Sequence, residues 1–196
     1  MSVSKFRRRR GGAITATFSR DEATLLANLV AQLVELLRDD ENTRKESSGD
    51  DLEELVGAFG STEPPTDPVM VRLLPAGYRE DDAAAGEFRR FTEAGLRSGK
   101  VVAAEEVLGD LGDPSEADQV SVTLRGEASL VWARCLNDLR LSIGTRLEVT
   151  EDDENRFDAL DPDDPVRWTY DVYIWLGWLQ ESLVQAMARD LPDGDR

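Results

Sequence analysis

Apolar positions recur at helical spacing over most of the chain and alternate at strand spacing only near its start. "FRRRRGGAITATF" has two extended runs, Phe6–Arg10 and Ala13–Phe18, around Gly11-Gly12, and Gly-Gly supplies the positive φ angles of a tight hairpin turn. Strand alternation puts Phe6, Arg8 and Arg10 on one face, with Arg7 and Arg9 on the other. Ser19 followed by Glu22 is a capping box, and Leu25, Leu26, Leu29, Leu33, Leu36 and Leu37 then repeat at helical spacing, predicting a helix from about Arg20 to Arg38. The polar run after it predicts a mobile loop at about 39–50, and "DLEELVGAF" predicts a short amphipathic helix before Gly60.

Asp67 and Pro68 mark the start of another short helix, which Pro75 ends. "EDDAAAGEFRRFTEAGLRSGK" and "VVAAEEVLGDLG" read as two successive helices, and Glu93 and Arg97 are placed to pair across one turn. The rows Leu124, Ala128, Val131, Cys135, Leu139 and Trp132, Leu136 predict one long helix from about Ala117 to Ile143. "DDENRFDALDPDDP" reads as an acidic connector. In the last helix, about Pro165 to Ala188, Trp168, Val172, Trp175, Trp178, Leu179, Leu183 and Val184 cover most of the circumference, which predicts a central place in a bundle. Such a helix serves an intramolecular core or a homodimer interface equally well. The expectation is a mainly α, single-domain helical bundle over residues 1–196. It comprises a small hairpin at 5–18, a helical body at 19–189 and a frayed tail at 190–196.

Charge changes this picture by its asymmetry. The net charge is −17, yet residues 1–12 carry five cations and no acid, so the remainder carries −22. So acidic a body repels phosphate backbones and argues against direct nucleic-acid binding outside the arginine run. Arg7, Arg8, Arg9 and Arg10 are either a solvated edge strand or a contact for an acidic partner or nucleic acid. No apolar run is long enough to span a membrane, and the apolar region of a secretion signal is missing.

Candidate chemistry is sparse. The chain has no histidine and one cysteine, which removes the usual general base, the commonest zinc ligand, any internal disulfide and any CxxC motif. A single thiol fits a reducing cytoplasm. The acidic runs Glu151–Asn155 and Asp161–Asp164 lack the glycine and glutamate positions of an EF-hand loop and read as solvated charge. No catalytic, cofactor or metal residues are assigned, and the expectation is a non-enzyme. Cys135 is either a redox-reactive thiol or a small core residue. The row Val131, Cys135, Leu139 favours the core, and Asp138, three residues on, opposes thiolate formation. Asn137, Asp138, Arg140 and Arg146, with Arg89 and Arg90 of "EFRRFTE", form either a buried polar network joining two helices or a partner-binding surface.

"RLLPAGYREDDAAAGEFRRFTE", "NDLRLSIGTRL" and "VYIWLGWLQESLV" together resemble the AosR-type oxidative-stress transcriptional regulators, an actinobacterial family long described as a domain of unknown function. The resemblance runs from the hairpin to about Ala188. It implies a cytoplasmic, non-enzymatic regulator acting through a protein partner such as an alternative sigma factor or an RNA polymerase component. The family's usual place beside the ClpS adaptor implies an alternative, an accessory or scaffold role in Clp proteolysis. Redox sensing in the family is attributed to a cysteine pair. A CxxxC pair with Cys135 needs a second cysteine at position 131 or 139, where this chain has Val131 and Leu139.

Overall fold

A computed structural model describes residues 4–47, 62–78, 81–150 and 154–188. Its elements are strands β1 (Arg7–Arg8), β2 (Ile14–Ser19) and β3 (Gln119–Leu124), with helices α1 (Arg20–Ser47), α2 (Pro68–Leu73), α3 (Asp82–Leu111), α4 (Ala128–Arg146), α5 (Glu154–Asp158) and α6 (Pro165–Ala188). The mainly α expectation holds, with an antiparallel sheet of order β1-β2-β3 against the helices.

The hairpin forms as its glycines require. Gly11 and Gly12 both have φ near +87°, and Arg7 and Arg8 pair with Thr15 and Ile14. Period-two alternation buries Ile14, Ala16 and Phe18 and turns Thr15 and Thr17 outward. The capping box at Ser19 and Glu22 is present, each residue's backbone N–H donating to the other's side chain. The short helix α2 starts as read, with Asp67 accepting from the Val69 N–H and Pro68 in the first turn.

Five expectations are corrected. The long helix from Ala117 does not form. Gln119–Leu124 is a strand, paired with β2 from Ile14↔Leu124 to Ser19↔Gln119. "VSVTL" carries β-branched residues at period two, burying Val122 and Leu124, and Gly126 at φ +54° separates it from α4. Second, α1 continues to Ser47 through the stretch read as a loop, because its Arg, Lys and Glu residues are good helix formers. The short helix expected at "DLEELVGAF" lies outside the described residues. Third, the two helices expected before Gly112 are one, α3. Gly95 and Gly99 cost helix propensity, but buried Ala104, Val107 and Leu111 hold the C-terminal half, and Gly112 closes it with φ +60°.

Fourth, α6 is not wrapped on all sides. Val172, Leu176, Leu179, Leu183 and Ala186 are buried, whereas Trp168 is 57% exposed and Trp178 38%. Its apolar circumference exceeds the face that α4 and the sheet cover. The buried tryptophan is Trp132, fully enclosed, stacked on Phe18 at 6.2 Å and edge-on to Phe6 at 5.6 Å. Fifth, the acidic connector has more order than expected. Phe157 of α5 is buried and stacks on Tyr170 at 4.0 Å, and Asp164 accepts from the Val166 N–H at the start of α6.

Candidate functional site

Helix α4 carries the polar residues singled out between Cys135 and Arg146, and its amphipathic period sends them to different neighbours. Cys135 is buried at 2% exposure and points into the core with Trp132, Leu136 and Leu139. Burial pushes the thiol up to about 12; the Asp138 carboxylate adds to the shift and Lys100 opposes it. The thiol is therefore protonated at neutral pH and shielded from reagents in the folded chain.

Asp138 is buried as well, and its Oδ1 accepts from Lys100 Nζ at 2.7 Å. Burial raises its pKa, and the Lys100 hydrogen bond and charge only partly offset that. Arg140 turns the other way, to α6. Its Nη1 donates to Gln180 Oε1 at 2.9 Å and its guanidinium lies 5.1 Å from the Tyr173 ring centre. Gly177 makes this approach possible, since a Cβ there would sit 3.2 Å from Arg140 Nε. Asn137 accepts from Gln180 at 3.5 Å, and Arg146 reaches Asp67 at the start of α2 at 2.6 Å. These four residues thus tie α4 to three helices rather than forming one exposed surface.

In place of the expected network between this segment and "EFRRFTE", Asp138 meets α3 at Lys100, seven residues beyond that run. Both segments lie on packed helices, but Glu93 is taken by its own helix: Arg97 Nη2 donates to it at 2.9 Å and Arg89 Nε lies 3.6 Å away. Arg97, 4% exposed, also donates to the Leu37 carbonyl and so docks α3 on α1. Arg89 donates to the Thr62 carbonyl, while Arg90 lies 5.8 Å from the ring of adjacent Phe91. Asp138's partner, Lys100, lies two turns beyond Glu93. No spacing rule selects it, because it meets Asp138 only when α3 and α4 pack.

Arg7, Arg8 and Arg9 of the arginine run border open space together. Lys5 and Arg7, Arg8 and Arg9 form one wall of a cleft of about 400 Å³, and Ser182, Gln185 and Ala186 of α6 form the other. Phe6 anchors the cationic wall: its ring is buried and its N–H donates to Ser182 Oγ at 3.1 Å. Arg9 Nε donates to Thr15 Oγ1 at 2.8 Å, while Arg10 sits exposed at the turn. Reading the sequence missed Lys5, Ser182 and Gln185 as lining residues. Lys5 differs from the arginines only in type, and the two helix residues lie over 170 positions away.

Among the described residues, no group of three or more His, Cys, Asp or Glu is placed to hold a metal ion, and no helix is long and apolar enough to cross a membrane.

Comparison with known proteins gives the chain's relationships. Residues 3–187 match the model of a family described as a domain of unknown function, DUF2017. The chain is 33% identical over 190 residues to the oxidative stress regulator AosR of Mycobacterium tuberculosis, covering 90% of this chain and 83% of that one. It is 36% identical over 182 residues to the putative oxidative stress regulator AosR of Mycobacterium leprae, covering 85% and 78%. No solved structure matches. With near full-length agreement to both the family model and these regulators, the chain belongs to the DUF2017 family.

Proposed function

We propose that this protein is a non-enzymatic regulator in oxidative-stress transcriptional control, acting by contact with a sigma factor or another RNA polymerase component. The observation that carries this reading is the 33–36% identity, across most of the chain, to proteins named as oxidative stress regulators. The chemistry of the chain agrees. It has no histidine, and Arg97, Lys100, Asp138 and Arg140 are spent on joining helices. An acidic surface also suits the basic faces of proteins that bind nucleic acid, with charge speeding encounter and setting specificity. Cys135 is the chain's one cysteine and is buried, so the oxidative signal reaches this protein through its partner or its abundance, not through a disulfide within the chain.

The test is recovery of the tagged chain from its own cytosol, with and without peroxide, beside a Cys135→Ser variant. Enrichment of a sigma factor or polymerase subunit, equal for both chains under both conditions, is the expected result. Enrichment of the Clp adaptor or unfoldase in its place would replace this reading with a role in proteolysis. A peroxide response that disappears with Cys135 would overturn the account of the thiol.

A further inference from the structure

Four of the five cations at the start of the chain, Lys5 and Arg7 to Arg9, line one cleft. Strand β1 is an outer strand of the sheet, held by pairing with β2 on one side and by the Phe6 N–H to Ser182 on the other. Phe6 is buried between Lys5 and Arg7, which are both exposed, as is Arg9. Exposed Lys5, Arg7 and Arg9 thus alternate with buried Phe6 and half-buried Arg8 on either side of the two-residue strand, a repeat of roughly 7 Å in extended chain, with Arg9 Nε held by Thr15 Oγ1. Beside them runs the cleft of about 400 Å³ against α6, where Gln185 contributes an amide.

We propose that this cleft binds a short, extended acidic segment of a partner protein, with its carboxylates against Lys5, Arg7 and Arg9. An extended peptide carries same-side carboxylates at the same two-residue repeat, so the spacings match. The Gln185 amide nitrogen already donates to Glu181 Oε1 at 3.0 Å, which leaves its oxygen to accept from a peptide backbone. The remainder of the chain carries −22, which repels any polyanion that extends beyond the cleft. A nucleic-acid strand extends beyond it, whereas a peptide with a few acids at its centre does not. This inference rests on the protein-contact reading above and gives that contact a place and a chemistry.

Fluorescence anisotropy on the full chain at low salt tests it. The probes are a fluorescein-labelled decamer of alternating Glu and Val, the same decamer with Gln for Glu, and a ten-nucleotide thymidine strand. The Glu decamer is expected to bind saturably, more weakly as salt rises, and at least tenfold more weakly to an Arg7→Glu/Arg9→Glu variant. An Arg72→Glu/Arg134→Glu variant makes the same charge change at exposed positions away from the cleft and is expected to alter binding less than threefold. Circular dichroism melts establish that both variants fold. Equal loss in both variants, equal binding of the Gln decamer, tighter binding of the thymidine strand, or no saturable binding would each overturn the proposal. Recovery of a transcription component by the Arg7→Glu/Arg9→Glu chain, at the wild-type level, would remove the cleft and leave the regulatory reading standing.

Discussion

Lys100 Nζ lies 2.7 Å from Asp138 Oδ1, and this pair joins the middle of α3 to the middle of α4 beside the one thiol of the chain. The side chain of Asp138 is 7% exposed and that of Lys100 22%. Removing one partner strands the other in the interior. Lys100→Met is expected to destabilise the protein by about 3 kcal/mol at neutral pH, the lower end for a broken buried pair because Lys100 keeps some solvent. A Lys100→Met/Asp138→Leu double variant is expected to recover most of that loss. The penalty also has a definite pH sign. Burial holds the folded pKa of Asp138 above its ordinary value, so ionisation costs stability above that pKa and nothing below the unfolded one. The Lys100→Met penalty therefore shrinks on acidification. Urea unfolding at neutral and mildly acidic pH measures both effects.

Cys135 is expected to resist thiol reagents in the folded chain and to react at once in denaturant. Labelling with a maleimide, followed by mass spectrometry with and without guanidinium, reads this directly. The same burial makes stability fall in alkali. The folded thiol is pushed up to about 12, so above the ordinary thiol pKa only the unfolded chain ionises, and unfolding gains from each further rise in pH until the folded thiol titrates too. Cys135→Ala is expected to flatten that alkaline decline.

Trp132 and Trp175 are expected to differ in their cost on truncation. Trp132 is fully buried, and its indole N–H donates to Asp110 Oδ2 at 2.7 Å. Trp132→Ala is expected to cost ~3–5 kcal/mol, and Trp132→Phe less, since the ring contacts with Phe6 and Phe18 survive. Trp175 is only partly buried against the core, so Trp175→Ala should cost clearly less. For a domain of this size each kcal/mol moves the melting temperature by roughly 2–4 °C, so calorimetry separates the two variants.

Glu22 links the start of α1 to the segment before the hairpin. Partial burial raises its pKa, but hydrogen bonds from Ser4 and Ser19 together outweigh that and leave it below the ordinary carboxylate value. A depressed folded pKa means stability that is present above the unfolded pKa and lost as pH falls through the folded one. Glu22→Gln is expected to lower stability at neutral pH and to lessen the acid-induced decline. Ser19→Ala is expected to cost about 1 kcal/mol through the cap. Thermal melts over the acid range, compared with the parent chain, decide both.

Features determined by neighbouring residues were legible in the sequence. The Gly11-Gly12 turn, the Ser19–Glu22 box, the Asp67-Pro68 start and the Glu93–Arg97 pair each need only a few consecutive positions, and all are present in the structure. The mainly α class followed from the helical spacing of the leucines, and the burial of Cys135 from the apolar row it occupies. Tertiary structure decided what depends on residues distant along the chain. Gln119–Leu124 became a strand because β2, about a hundred residues earlier, offers it a register; alone, a short apolar run suits either period. Which side of α6 is buried was settled by where α4 and the sheet pack, since apolar residues lie around most of that helix. Lys100 became the partner of Asp138, and Ser182 and Gln185 the far wall beside the arginines, only once separate elements met. Local bonding and periodicity can be read along the chain, whereas a packing interface requires both of its sides.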